Sequence, residues 1–94
     1  MAHLAIRFNC RDYAAWKQVF DEVAPQRRAA GEIEYHIYHV DGDLNNIMLV
    51  DEWDSLDNIK AWVASDFLRE AMERAGVEGP PTIYFLTAGD SGKP

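Results

Sequence analysis

One cysteine, four prolines and three histidines stand among the 94 residues, and positive charge is scarce, with nine lysines and arginines against sixteen aspartates and glutamates. A lone thiol, Cys10, cannot close an internal disulfide, which places the chain in a reducing compartment, the cytoplasm. Set at a strand-to-helix turn, it reads as a small filler residue rather than a nucleophile. The net charge of −7 repels phosphate backbones and anionic lipid surfaces, which argues against nucleic acid as a partner. The one adjacent basic pair, Arg27-Arg28, falls near the end of an expected helix and reads as compensation of the helix dipole. No apolar run approaches the ~18 residues of a membrane span, and no basic leader precedes the first strand, so no membrane segment is expected. His36 and His39 lie three apart on a strand and point to opposite faces, and there is neither an HxH spacing nor a cysteine cluster. No metal is expected.

What is present is periodicity. Hydrophobic residues make up 48% and charged residues 27%, the balance of a chain that folds. Leu4, Ile6 and Phe8 alternate with His3, Ala5 and Arg7; residues 33–40 and 47–53 alternate likewise across the polar turn 41–46, which predicts an antiparallel hairpin. Asp12 can cap a helix bearing Tyr13, Trp16, Val19, Phe20 and Val23, with a kink or restart at Pro25 and an end at Gly31. Ser55 and Ser65 mark two further helix starts and Gly76 an end. Gly79-Pro80-Pro81 predicts an extended loop before a last strand at 82–87. One domain over residues 1–87 and a flexible tail over 88–94 are expected.

The order βαββαβ is an α+β, ferredoxin-like arrangement: a four-stranded antiparallel sheet with the helices on one face. The other face is then uncovered, yet Tyr38 and Val40 oppose Ile33, Tyr35 and Ile37, and Tyr84 and Leu86 oppose Ile83 and Phe85. A sheet apolar on both sides predicts a homodimer.

The pattern Asp12-Tyr13-x-x-Trp16-Lys17-x-Val19-Phe20-Asp21-Glu22, the corner Glu52-Trp53-Asp54-Ser55-Leu56, and Ser65-x-x-Leu68-Arg69-Glu70-Ala71-Met72-x-x-Ala75-Gly76-Val77 followed by Pro81-x-Ile83-Tyr84-Phe85 resemble the dimeric α+β barrel superfamily. Within it the chain is most similar to small bacterial proteins of the cyclase or antibiotic-biosynthesis-monooxygenase type. The resemblance implies a small cavity between sheet and helices in each subunit. It also implies activities ranging from cofactor-free oxygenation of polyketide phenols to polyketide cyclisation, lactone isomerisation and haem degradation. The haem-degrading branch takes its iron ligand from a histidine in the second helical half, and residues 56–75 contain none.

Acid–base chemistry is what the residues best permit. If Val40 pairs with Ile47, His36 faces Asp51; a slip of one residue puts Glu52 there instead. A histidine fixed by a carboxylate in an enclosed cavity could take a proton from a phenol or an acidic CH₂. Tyr35, Tyr38 and Tyr84 could then donate to the enolate, Arg7 could hold its charge, and Phe8, Trp53 and Phe85 could wall an aromatic ligand. The expectation is a cofactor-independent, cyclase-like enzyme acting on a small aromatic or polyketide-like substrate, with no cofactor. Cofactor-free monooxygenation and non-catalytic binding of a small hydrophobic ligand are the alternatives, since strands also favour tyrosine and histidine for packing alone.

Overall fold

The computed structural model describes residues 2–94. The elements run β1 (Ala2–Cys10), α1 (Tyr13–Glu22), α2 (Ala24–Ala30), β2 (Glu32–Val40), β3 (Asp43–Trp53), α3 (Leu56–Val63), α4 (Asp66–Ala75) and β4 (Val77–Thr87). The strands form one antiparallel sheet in the order β2-β3-β1-β4. The architecture is the α+β, ferredoxin-like one, with each helical segment of the pattern split in two.

The helix starts are set by side-chain caps. Asp12 accepts from the Ala15 N–H at 3.0 Å, Ser55 from Asn58 at 3.1 Å and Ser65 from Leu68 at 3.2 Å. Val23 closes α1 and opens α2, so Pro25 falls in a first turn where its missing N–H costs nothing. Gly31 ends α2 at φ 128°, and its carbonyl accepts the Asp54 N–H at 3.0 Å. The Asp54 carboxylate occupies the space a Cβ at Gly31 would need, and the positive φ strains any L side chain there, which together favour glycine.

Two strand boundaries differ from expectation. The segment 79–81 is not a loop: β4 starts at Val77 and runs through both prolines. An edge strand tolerates proline, and the β1–β4 register shifts between Arg7 and Asn9 where the prolines pass. The hairpin turn is also tighter. It is made by Asp41 and Gly42, the latter at φ 81°, while Asn45 and Asn46 extend β3. Asn45 Oδ1 accepts the Tyr13 N–H at 2.8 Å, tying the start of β3 to α1. Residues 88–94 carry no regular secondary structure.

Pairing sorts the side chains into rows across the sheet. Under the helices lie the rows Phe85–Leu4–Asp51–Tyr35 and Ile83–Ile6–Leu49–Ile37. Leu4, Ile47, Trp53 and Ile59 are wholly buried there, with Trp16 and Phe20 of α1 stacked at 4.9 Å and Trp62 of α3 at 6.1 Å from Trp53. On the open face lie Leu86–His3–Glu52–Glu34, Tyr84–Ala5–Val50–His36 and Thr82–Arg7–Met48–Tyr38. Tyr38, Val40, Tyr84 and Leu86 are exposed there. Among the described residues no helix is long and apolar enough to cross a membrane.

Candidate functional site

Between the sheet and the helices lies a cavity of about 60 Å³. Leu4, Ile6, Phe8 and Leu49 form its floor, Trp16, Val19, Phe20 and Val23 one wall, and Trp62, Leu68, Ala71, Met72 and Ala75 the other. Val77 and two charged-type residues, Arg27 and Asp51, complete the lining. The latter two are 4% and 2% exposed and are the buried polar residues of the described chain.

Each reaches the cavity for a local reason. Arg27 sits in the last full turn of α2, on the side facing the core. Its Nη1 donates to Glu32 Oε1 at 2.7 Å, its Nη2 to the Phe20 carbonyl at 2.8 Å, and its guanidinium lies 3.5 Å over the Phe20 ring. It therefore does more than compensate the α2 dipole: its charge is drawn into the core by a carboxylate, a carbonyl and an aromatic face. Glu32 can answer it because the register shifts between Glu32 and Glu34, leaving Ile33 unmatched and turning Glu32 under the helices in the row of Trp53. Asp51 alternates with Leu49 and Trp53 on the buried face of β3.

Burial pushes the Asp51 carboxyl up to about 9, helped by a hydrogen bond to Glu32 and by the Glu32 charge. The Trp53 indole and the Arg27 charge act in the opposite direction without cancelling the shift. Asp51 is thus a neutral acid at physiological pH, beside an ion pair that balances itself. Arg27 Nε, Glu32 Oε2, Asp51 Oδ1 and Trp53 Nε1 are all buried, the two carboxyls sharing a hydrogen bond, the indole bonding Asp51, and Arg27 Nε left without a partner.

The residues singled out in the sequence divide between the two faces. Tyr35, Asp51 and Phe85 share one row under the helices, and Phe8 and Trp53 face the same side. Phe8 and Asp51 touch the cavity; Tyr35 packs edge-on against Phe20 at 4.8 Å, and Phe85 lies beneath Lys60 at 5.9 Å. Arg7, His36, Tyr38, Glu52 and Tyr84 are on the open face.

The expected pairing of His36 with Asp51 or Glu52 does not form. The tight turn and the shift between His39 and Val40 set His39 opposite Ile47, and hence His36 opposite Val50. His36 instead reaches Glu34 on its own strand at 3.4 Å, and the cross-strand histidine–carboxylate pair is His3 with Glu52 at 3.9 Å. Arg27 and Glu32 were not singled out as site residues. The available signal was Glu32 directly after the helix-ending Gly31, five positions beyond an arginine on the apolar stripe. The Cys10 thiol is buried and its pKa raised, by burial first and then by Asp12 and Glu78, which keeps it protonated. Among the described residues no three histidine, cysteine or acidic side chains cluster as metal ligands.

Comparison with known proteins gives the family. No curated protein sequence matches the chain. The cofactor-independent oxygenase SnoaB from Streptomyces nogalater superposes with a TM-score of 0.77 at 15% identity, over 96% of this chain and 94% of that one. An antibiotic biosynthesis monooxygenase-type protein from Caulobacter crescentus gives 0.72 at 18% identity, over 95% and 90%. Another from Deinococcus radiodurans gives 0.73 at 16%, over 99% and 97%. At these identities the likeness concerns the fold. The family model for antibiotic biosynthesis monooxygenases matches residues 5–74, most of the domain, and the chain belongs to that family.

Proposed function

We propose that the protein is a cofactor-independent monooxygenase of small hydroxy-aromatic compounds, working as a homodimer, with its substrate in the cavity between sheet and helices. The observation that carries this reading is an apolar, aromatic-walled cavity holding one proton-bearing acid, Asp51, in a chain of the antibiotic biosynthesis monooxygenase family. Oxygenation takes precedence over the cyclase-like reaction, because the family and a structural neighbour of the cofactor-independent oxygenase kind support it.

The chemistry needs no bound oxidant beyond dioxygen. Loss of the hydroxyl proton gives a phenolate with carbanion character at a ring carbon. That carbon bonds dioxygen to form a hydroperoxide, and loss of water leaves a carbonyl. For 1-naphthol one oxygen atom enters the quinone and the other leaves as water, so the electrons lost by the ring are those gained by dioxygen. In this reading Asp51, at the cavity wall, donates its proton to the departing oxygen, and the hydroxyl proton is passed through Asp51 to the Glu32 carboxylate hydrogen-bonded behind it. Positioned proton transfer of this kind contributes about 10²- to 10⁴-fold.

A single aromatic ring needs more room than the cavity offers. A cavity of about 150 Å³ accepts benzene, so Met72 and Leu68 must give way from about 60 Å³. Methionine is suited to that adjustment. The open sheet face, with Met48, Val50, Tyr84 and Leu86, is the surface on which two copies pair. Arg7, His36, Tyr38 and Tyr84 then serve the subunit contact rather than the substrate.

The test is oxygen uptake by metal-free, flavin-free protein with naphthols and hydroquinones, using ¹⁸O₂. One labelled atom in the quinone and one in water is the expected result. Uptake no faster than the uncatalysed background across the series would refute the assignment.

A further inference from the structure

Met72 of α4 and Val77 at the start of β4 each face two spaces. They line the cavity between sheet and helices, and they also line an open groove of about 340 Å³ on the outer surface, with Ala64, Arg69, Glu73, Gly79 and Pro81 around it. Both are half-buried, so part of each side chain reaches solvent while the rest walls the cavity.

The sheet is interrupted at the same place. Arg7 pairs with Thr82 and Asn9 with Glu78, so three residues of β4, numbers 79–81, pass opposite Phe8 alone. Pro80 and Pro81 have no N–H to give the ladder, and Gly79 stands at φ 70°. Phe8 belongs to the cavity floor, and Gly79 and Pro81 belong to the groove. Between them the wall is closed by side chains rather than by hydrogen-bonded strands, so moving Met72 breaks no backbone bond.

A second depression meets the cavity at Arg27, with Arg28, Ile33 and Glu34 on its outer side. That side is locked. Arg27 donates to Glu32 at 2.7 Å and to the Phe20 carbonyl at 2.8 Å, and swinging it out would break a buried ion pair. Met72 has an unbranched, freely rotating side chain and no ion pair to leave.

We propose that the gap between α4 and β4 is the passage by which small apolar molecules enter and leave the cavity, with Met72 as its gate. The proposal rests on the cavity being the ligand site, as the monooxygenase reading has it, but not on any turnover. It makes the residues around the groove determinants of exchange rate rather than of affinity.

Exchange of fluorobenzene with the full-length protein, followed by ¹⁹F NMR, gives association and dissociation rates separately. Glu73 and Ala64 are exposed, line the groove and do not line the cavity, so enlarging either obstructs the groove without altering the ligand's contacts. Glu73 holds a surface pair with Arg69 at 3.6 Å, which contributes little to stability. Glu73→Trp and Ala64→Trp should each slow both rates by about tenfold or more and leave Kd within about twofold, the signature of a barrier rather than a contact. Arg28→Trp, on the Arg27 side, should change neither rate. Met72→Ala should raise the association rate by about fivefold or more, whereas Leu68→Ala, which enlarges the cavity away from the groove, should not.

Unchanged rates in both groove variants, or slowing by Arg28→Trp in their place, would overturn the passage. Equal acceleration by Met72→Ala and Leu68→Ala would overturn Met72 as its gate. Failure of fluorobenzene to bind at all would remove the cavity reading and this proposal together, whereas gated binding without oxygen uptake would remove the oxygenase reading and leave the passage standing.

Discussion

Arg27 and Glu32 bond at 2.7 Å with 5% and 8% of their side-chain surfaces left in water, so this charge pair beside the cavity is one the solvent scarcely touches. A pair so buried is held by its own completeness. Its net contribution is small, because desolvating both ions offsets most of their attraction, but removing one partner strands the other.

Arg27→Met should therefore destabilise the fold by about 3–5 kcal/mol, the usual cost of breaking a buried pair. Arg27→Met with Glu32→Leu should recover most of that loss, since no charge is then buried alone. Glu32→Gln should cost less than Arg27→Met, because the Asp51 carboxyl, relieved of its acidic neighbour, can ionise and take over Arg27. Urea midpoints for the single and double variants measure these differences. A loss below about 1 kcal/mol in Arg27→Met would mean that the cluster is hydrated and less buried than its geometry indicates.

The Asp51 carboxyl gives a pH dependence of unusual sign for an aspartate. Its folded value is raised to about 9 from an ordinary 3.8, so between those limits the folded chain keeps a proton that the unfolded chain has released. The stabilisation from this group is complete below about pH 4, falls through the window by up to about 1.4 kcal/mol per pH unit, and is gone above about pH 9. Asp51→Asn removes the titration. Unfolding free energies of the two proteins at about pH 5, 6.5 and 8 should show the wild type losing stability relative to the variant. A constant difference would place the proton elsewhere.

Much of this was legible in the residues. Alternation in 3–8, 33–40 and 47–53 identified the faces of three strands, and Asp12, Ser55, Ser65 and Gly76 marked helix ends that the structure confirms. Register was not legible. A polar hexapeptide such as 41–46 is compatible with several turns, and a shift of one residue moves His36 from a carboxylate to Val50. Arg27 was hidden for another reason: an arginine in a last helical turn satisfies the dipole argument whether it faces water or the core. Only the strand shift that turns Glu32 inward distinguishes the two, and such shifts depend on tertiary packing.

The open face offers a direct test of the pairing of two copies. Val50 lies on an inner strand, in the row Tyr84–Ala5–Val50–His36, at the middle of that face. In an isolated subunit Val50→Arg would change a partly exposed position and cost little beyond β-propensity. In a dimer it would bury unpaired like charges against each other across the two-fold axis. Sedimentation equilibrium should show a dimer for the wild type and a shift of about tenfold or more toward monomer for the variant. A wild-type monomer at micromolar concentration would end the dimer proposal.

Ala71 of α4 separates cavity access from fold stability. It is 7% exposed and lines the cavity beside Met72 and Ala75, so a larger side chain there occupies the space a ligand would take. Ala71→Leu should reduce both phenol binding and hydroxy-arene oxygenation by about tenfold or more. Its effect on stability is bounded from both sides: filling a void is favourable, and any overpacking costs about 1–3 kcal/mol. Because Met72 and Leu68 can yield, the net change should sit near the low end of that range. Phe67→Ala, an exposed aromatic on the same helix that is not part of the cavity lining, is the control and should leave phenol binding unchanged. If Ala71→Leu retains wild-type binding and turnover, the ligand does not enter between sheet and helices, and the open sheet face becomes the place to look for the chemistry.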